Sequence, residues 1–291
     1  MRTRARPDQE TGVILVNVLS VLALSSAVMV AILTLQDISI ERSMRYMDAA
    51  TAVSYALGGE TSAIVALRRD MRDAPDADHY AEAWTAAEEA GALIEGGSFK
   101  LVIADEQALF NLNNLAVDGL AAEETLRVLL ASLKAPPETA RAIAALVVAQ
   151  AGIDALDDLR AAGVDPLLIP RLSEIACVLP EPTDININTA GEALLSAVLG
   201  NRVSARLLVS RRERQGYLSA SDIALARIIL PPRTGFRSDY FVATTTVTHG
   251  TTRQVLESRI HRSSSDGQPS IAVWSRKRNA AVGLPGPPRL D

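Results

Sequence analysis

The sequence predicts an α+β protein: a long N-terminal transmembrane helix runs on into an antiparallel-sheet head, and a large all-α domain is inserted into that head. Three observations predict it. Val13–Leu35 contains no charged residue. Alternating, β-branched stretches stand on either side of a long segment, Ala121–Leu230, that is helical in pattern. Aromatic residues make up 4% of the chain while alanine is abundant, a balance that favours helix over a β-sandwich.

The apolar run comes first. At about 1.5 Å per residue it reaches roughly 35 Å, enough to cross a hydrocarbon core of about 30 Å. Arg2, Arg4 and Arg6 precede it, so the positive-inside bias puts the leader in the cytoplasm and everything after the span outside. Three readings compete. A secretory signal would be cut near Ser25-Ser26-Ala27, yet the apolar stretch continues past that point. A plain signal anchor leaves Gly12 unexplained. A type IV pilin-like leader explains it: a short charged peptide ends in glycine, and a prepilin peptidase cuts between Gly12 and Val13. Small residues at Ser20, Ala23, Ala27, Ala31 and Thr34 recur at helical spacing, the kind of face that lets helices approach closely. The spacing then continues through Ile40, Met44, Met47, Ala50, Val53 and Leu57 to Gly58-Gly59, which predicts a helix half in lipid and half against a head.

Past the glycines, Thr61–Met71 and Tyr80–Ala90 each read as a helix. Gly96–Ala116 reads as two short strands around a turn at Ala104-Asp105-Glu106, with Phe99, Leu101 and Ile103 on one face. Sheet character returns in "YFVATTTVTHGTTRQVLESRIHR", a hairpin turning at His249-Gly250. A single sheet containing both strand pairs is the economical arrangement, because isolated hairpins are marginal in water. The expected boundaries are a leader over 1–12, the span over 13–35, the first part of the head over 36–116, the insert over 117–232, the closing hairpin over 233–262 and a disordered tail over 263–291. An insert of roughly 115 residues is an ordinary domain size.

Within the insert, "DININTAGEALLSAVLGNRVSARLLVSRRERQGYLSASDIA" (Asp184–Ala224) is the most distinctive stretch. It resembles a helix-hairpin-helix unit of the competence DNA-receptor type, with Thr189 placed to cap the following helix. "ALDDLRAAGVDPLLIPRLSEIACVLP" is similar to a degenerate copy. DNA-binding versions hold phosphates on hairpin amides aided by basic residues. Here the hairpins carry one glycine each, and Arg202, Arg206, Arg211, Arg212 and Arg214 spread around a helix as a solvated face would. A membrane-anchored DNA receptor therefore stands as the alternative function, with no nucleic acid expected.

The order of "IADEQALFNLNNL", "ALDDLRAAGVDPLLIPRLSEIACVLP", "ININTA" and "LESRIHR", behind a glycine-ended leader and long helix, resembles the minor pseudopilin K family (GspK) of type II secretion. The resemblance implies a protein that crosses the inner membrane once, its N-terminus cytoplasmic and its C-terminal pilin-like head in the periplasm. It also implies a pseudopilus-tip role in exporting folded proteins. The implied partners are the minor pseudopilins I and J, other secretion components, secreted substrates and the prepilin peptidase. Val13 would become an N-methylated mature terminus. Most pseudopilins carry glutamate at the fifth mature position, thought to pair with a neighbour's amine. Asn17 stands there instead, as GspK-like proteins generally lack that glutamate, and it brings no charge into the bilayer.

Catalysis is not expected. His79, His249 and His261 are far apart in sequence, no hydrolase or nucleotide-binding motif occurs, and Cys177, the only cysteine, lies in apolar "EIACVLP". No cofactor is expected either. Calcium, seen in related proteins, is the one ion to weigh, yet the aligned segment reads "AALVVAQAGID". The acids left are Asp73, Asp76 and Asp78, and Asp154, Asp157 and Asp158, and neither group clearly supplies the six to eight oxygens calcium takes.

Overall fold

The structure, a computed structural model, describes residues 9–85, 92–265 and 268–279. Helix α1 spans Gln9–Asp73 without interruption. Strands β1 (Ala92–Ile94) and β2 (Gly97–Asp105) follow, then β3 (Phe110–Asn111). The helical block holds α2 (Leu115–Ser132), α3 (Thr139–Gln150), a 3-10 segment (Leu156–Ala162) and α4 (Ile169–Leu172). Strands β4 (Ala176–Cys177) and β5 (Ile185–Asn186) precede α5 (Glu192–Leu199), α6 (Arg202–Gln215) and α7 (Ala220–Ala226). Strands β6 (Thr234–Gly235), β7 (Tyr240–His249), β8 (Thr252–Ser265) and β9 (Gln268–Arg278) complete the order.

The main sheet runs β1-β2-β7-β8-β9, antiparallel throughout. Strand β2 therefore pairs with β7 across the whole helical block, from Gly97↔His249 to Asp105↔Phe241. The α+β class with a helical insert interrupting one sheet holds. The turn expected at Ala104-Asp105-Glu106 does not make a hairpin: β2 runs to Asp105, and β3 pairs in parallel with β4 instead. Phe99, Leu101 and Ile103 do share a face, the one packed beneath α1.

Gly58-Gly59 does not end α1, and Thr61–Met71 is its continuation rather than a new helix. The reason is packing. Ala52, Ala56, Gly59, Ala63, Leu67 and Asp70 form a buried stripe along α1. At Gly59 a Cβ would run into the Thr245 side chain, so only a glycine lets α1 come this close to β7 there. The large residues chosen from periodicity point the other way: Ile40, Met44, Met47 and Leu57 are exposed. A helix lying tightly on a sheet presents its small side chains, and its bulky ones stand off.

Two further expectations change. Tyr80–Thr85 is a series of turns, not helix, because Trp84 leaves the segment to bury its ring edge-on against Phe241, 5.4 Å between centroids; residues 86–90 lie outside the described residues. The tail expected from Ser263 is instead the end of β8 and the whole of β9, with 280–291 outside the described residues. Ile271 and Val273 join the core under α1, and an irregularity in register by Ile260 lets Trp274 turn to the opposite face, against Tyr240.

The insert has its own core, in which Leu126, Leu129, Leu130, Ile143, Val147, Leu159, Leu172, Leu195 and Leu208 are buried in one cluster. Burying a leucine is worth about 2 kcal/mol, so this cluster carries the insert's stability. The degenerate repeat is realised only as the 3-10 turn and the four-residue α4.

Candidate functional site

Two regions bear on function, the anchor and the junction between head and insert. In the anchor, Val13–Leu35 is one exposed apolar helix surface, long enough to cross a membrane. Two of its hydroxyls bond back within the helix: Ser20 Oγ donates to Val16 O at 2.8 Å and Thr34 Oγ1 to Val30 O at 2.9 Å. Lipid offers no partner for a free hydroxyl, so this back-bonding removes a desolvation cost. Asn17 is exposed on the same helix, and Gly12 and Val13 lie within its first turns. Charge reappears at Asp37, and Glu41 pairs with Arg45 at 2.5 Å, so the polar part of the rod starts there.

The junction is built from the polar motifs. Asp105, at the end of β2, is fully buried and accepts from Gln107 N (2.7 Å), Asn186 Nδ2 (3.0 Å), Thr189 Oγ1 (2.5 Å) and Ser238 Oγ (2.6 Å). Burial pushes its carboxyl up to about 6, against the pull of the Ser238 and Thr189 hydroxyls. Thr189 is thus no helix cap; Gly191 precedes α5 without a side-chain cap. Asn113 donates to Ile153 O (3.0 Å) and Leu179 O (2.8 Å) and accepts from Ile153 N (2.9 Å). Asn114 holds Thr183 through both its backbone groups, and Asn188 does the same for Leu218. Each asparagine replaces a stretch of sheet ladder, pairing buried backbone that has no strand partner.

The closing strand supplies the charges. Ser258 donates to Glu60 at 2.6 Å, Arg259 grips Glu106 in a fork and stacks over Trp274, and Arg262 reaches Asp70 and Asp78. "LESRIHR" therefore ties α1, the end of β2 and the loop after α1 to one strand. The roles of Asp70 and Asp105 escaped the sequence reading because Asp70 meets Arg262, and Asp105 meets Asn186, Thr189 and Ser238, far along the chain.

Arginine chemistry on α6 works against a phosphate site. Arg212 Nη1 is turned inward, donating to Ile187 O (2.8 Å) and Ala190 O (2.9 Å), and Arg211 pairs with Asp222 at 2.8 Å. Arg202 and Arg206 share Glu192. The amides of Val203 and Ser204 that would cradle a phosphate are capped by Asn201, and that of Gly200 bonds Ala197 O. Only a shallow hollow of about 520 Å³ lined by Arg202, Arg206 and Arg214 is left.

The acids weighed for calcium in the insert are engaged by the chain itself. In Ala144–Asp154, Ala144 and Val147 are core, and Asp158 Oδ2 caps the amides of Asp154 and Ala155. Asp157 holds Arg160 at 2.9 Å. These carboxylates are spent on a turn and an ion pair, and do not fit an ion. Of the other trio, Asp73 pairs with Arg69, Asp76 borders a groove with Asp184 and Arg237, and only Asp78 is buried. Cys177 is buried, its Sγ donating to Glu106 O at 3.3 Å, and burial raises its thiol far above the reactive range. The histidines stand apart: His79 stacks on Tyr217, His261 on Tyr240, and His249 lies beside Asp48.

Comparison with known proteins agrees with this architecture. The family model "Type II secretion system (T2SS), protein K" matches residues 185–242, from β5 through the start of β7. Type II secretion system protein K of Pseudomonas aeruginosa is 28% identical over an alignment of 321 positions, covering 96% of this chain and 95% of that protein. Protein K of Klebsiella pneumoniae is 28% identical over 317 positions, covering 87% and 93%. A chain in the crystal structure of the GspK-GspI-GspJ complex from the type 2 secretion system of enterotoxigenic Escherichia coli shares the fold, with a TM-score of 0.64 at 19% identity. The match covers 82% of this chain and all of that one. The resemblance read from the motifs is borne out over nearly the whole length.

Proposed function

We infer that the chain is a minor pseudopilin of the type II secretion system, the K-type subunit, seated at the tip of the pseudopilus. The observation that carries this is the form of α1: one uninterrupted helix, apolar and exposed over Val13–Leu35, then packed on the sheet through Ala52, Ala56, Gly59, Ala63 and Leu67. That is a shared rod with a head attached, in a chain similar to protein K along its length. The chain joins minor pseudopilins I and J, as its structural relative does in the complex. It helps the pseudopilus assemble and export folded proteins across the outer membrane.

Maturation cuts between Gly12 and Val13, and the new amine of Val13 is methylated. The arginines of the leader hold the N-terminus in the cytoplasm, so the head lies in the periplasm. Asn17 sits one turn beyond Val13 on the same helical face. A glutamate there would need a neighbour's amine to offset its charge in lipid, whereas an asparagine does not. A tip subunit, with none ahead of it, fits that difference. The role is structural rather than enzymatic: the buried charged groups are consumed in joining segments.

N-terminal sequencing of the protein from its native host tests the maturation step, with Val13 as the expected first residue. A start at Val28, behind Ala27, would make the chain a secreted protein and end this reading. Deleting the gene is expected to abolish export of secreted enzymes through the outer membrane.

A further inference from the structure

Helix α6 has two faces. Ala205 and Leu208 are buried in the insert's core, and Arg212 turns inward to the carbonyls of Ile187 and Ala190. The other face carries a row that the core does not use. Val203, Leu207, Ser210 and Arg214 follow one another at spacings of four, three and four, the stripe along which a second helix packs. Val203 is 79% exposed and Leu207 45%. Single exposed apolar residues are ordinary on a surface, but these two share one hollow of about 520 Å³ with Arg202, Arg206 and Arg214.

Charge in that hollow is unbalanced. Three guanidinium groups line it and no carboxylate does. Arg202 and Arg206 share Glu192, at 3.6 and 3.5 Å, and Arg214 has no acidic partner among the described residues. Glu213, the one acid on α6, lies outside the lining. The chain as a whole has a net charge of -5, so this positive face is a local departure from it. Arginine stems can lie along apolar neighbours while their head groups stay free to pair with carboxylates.

We propose that this face of α6 is a docking surface for an acidic amphipathic helix of a partner protein. Apolar residues of that helix meet Val203 and Leu207, and its flanking carboxylates meet Arg202, Arg206 and Arg214. An apolar centre with a charged rim is what a helix laid along a groove needs, and the rim's sign sets the partner's. Nucleic acid fits less well, because apolar side chains hold the centre and Asn201 caps the amides of Val203 and Ser204. Lipid is out of reach. The C-terminal end of α6 lies just past the end of α1, where Tyr217 stacks on His79 at 4.6 Å. From Leu35 to Asp73, α1 rises about 57 Å along its axis, and α6 is about 21 Å long, so whichever way α6 points it stays clear of the hydrocarbon core.

Benzoylphenylalanine, a photocrosslinking residue, is placed at Val203 or at Leu207 of the full chain in its native host. Each position is expected to give a light-dependent adduct with the same partner protein. Mass spectrometry should map it to a segment with apolar residues at helical spacing and aspartate or glutamate beside them. The probe at Leu93, exposed on β1 of the head, should give no such adduct. Arg202→Glu and Arg206→Glu together should lower the yield about tenfold, and changing the partner's facing acid to lysine should restore it. Arg206→Met removes one charge at an exposed position, so it should fold as the unaltered chain does and lower the yield about threefold. The proposal is overturned if no protein adduct forms, or if the adduct is with lipid, nucleic acid or a second copy of this chain. A mapped segment without acids overturns it too, as does a folded charge-reversed chain that crosslinks as well as the unaltered one. Should the reversed chain fail to fold, an undiminished yield from Arg206→Met overturns it. Export is not among these readouts, so the contact can fail while the secretion role stands.

Discussion

Adjacent glycines on α1 should respond to the same substitution with opposite sign. Gly58 is exposed and nothing lies within 4 Å of a Cβ built on it, so Gly58→Ala acts only through helix propensity and stabilises by about 1 kcal/mol. Gly59→Ala gains the same term but places its methyl 2.4 Å from Thr245 Oγ1, 2.6 Å from Thr245 Cγ2 and 3.1 Å from Phe99 Cζ. Ordinary carbon contacts lie at about 3.5–4.0 Å, so the helix has to lift by roughly 1 Å or Thr245 has to turn. Thr245 is β-branched, buried and held in β7 between β2 and β8, which closes the second route. Overpacking of this kind costs about 1–3 kcal/mol, and lifting α1 also loosens Ala56 and Ala63. The net expectation for Gly59→Ala is a loss of about 0–2 kcal/mol, leaving the two variants roughly 1–3 kcal/mol apart. Urea unfolding of a soluble form beginning at Asp37, followed by Trp84 fluorescence, measures it. Adding Thr245→Ala should restore part of the loss in the Gly59→Ala background. If Gly59→Ala is as stabilising as Gly58→Ala, the helix does not lie on the sheet as described.

Other positions give separate tests. Asn113→Ala strands Ile153 N, Ile153 O and Leu179 O, and should destabilise by about 2–4 kcal/mol in the same unfolding assay. Asp105 binds its proton more tightly folded, near pH 6, than unfolded, near 3.8, so its contribution is greatest below pH 3.8 and is lost as pH rises through 6. The loss amounts to roughly 3 kcal/mol, and Asp105→Asn should remove that slope from a plot of stability against pH. Arg212→Met should cost about 2–3 kcal/mol by leaving two buried carbonyls without a charged donor, whereas Arg206→Met, at an exposed shared ion pair, should stay within about 0.5 kcal/mol. Denaturant midpoints of the two variants compare them directly.

Legibility in the sequence followed the range of each interaction. The apolar span, the hairpin at His249-Gly250 and the common face of Phe99, Leu101 and Ile103 are local patterns, and the structure keeps all three. The buried face of α1 was misread because periodicity ranks residues by hydrophobicity, while a helix pressed against a sheet selects for small size. Strand β9 was hidden because Ser, Gly, Pro and Arg dominate its surroundings and its apolar alternation is broken at Trp274, where the register shifts. Trp84 drew the segment after α1 out of helix for the sake of a long-range contact with Phe241. Thr189 looked like a cap because its partner, Asp105, lies 84 residues away.

The motifs that carried the resemblance turn out to be one physical device. "NLNN" and "ININTA" supply Asn111, Asn113, Asn114, Asn186, Asn188 and Thr189, which bond between head and insert or within the insert's base, and "LESRIHR" adds Arg259, which reaches Val178 O of the insert, while Ser258 and Arg262 tie β8 to Glu60 and Asp70 within the head. An apolar joint would hold the two parts as strongly and leave them free to slide, since hydrophobic contact is non-directional. Directional bonds to buried backbone lose their full worth if the insert shifts by even an ångström, so they fix its orientation on the head. For a subunit whose head is carried by a single rod, a fixed insert transmits displacement of α1 to whatever the insert touches. That requirement accounts for polar residues where the joint could have been greasy.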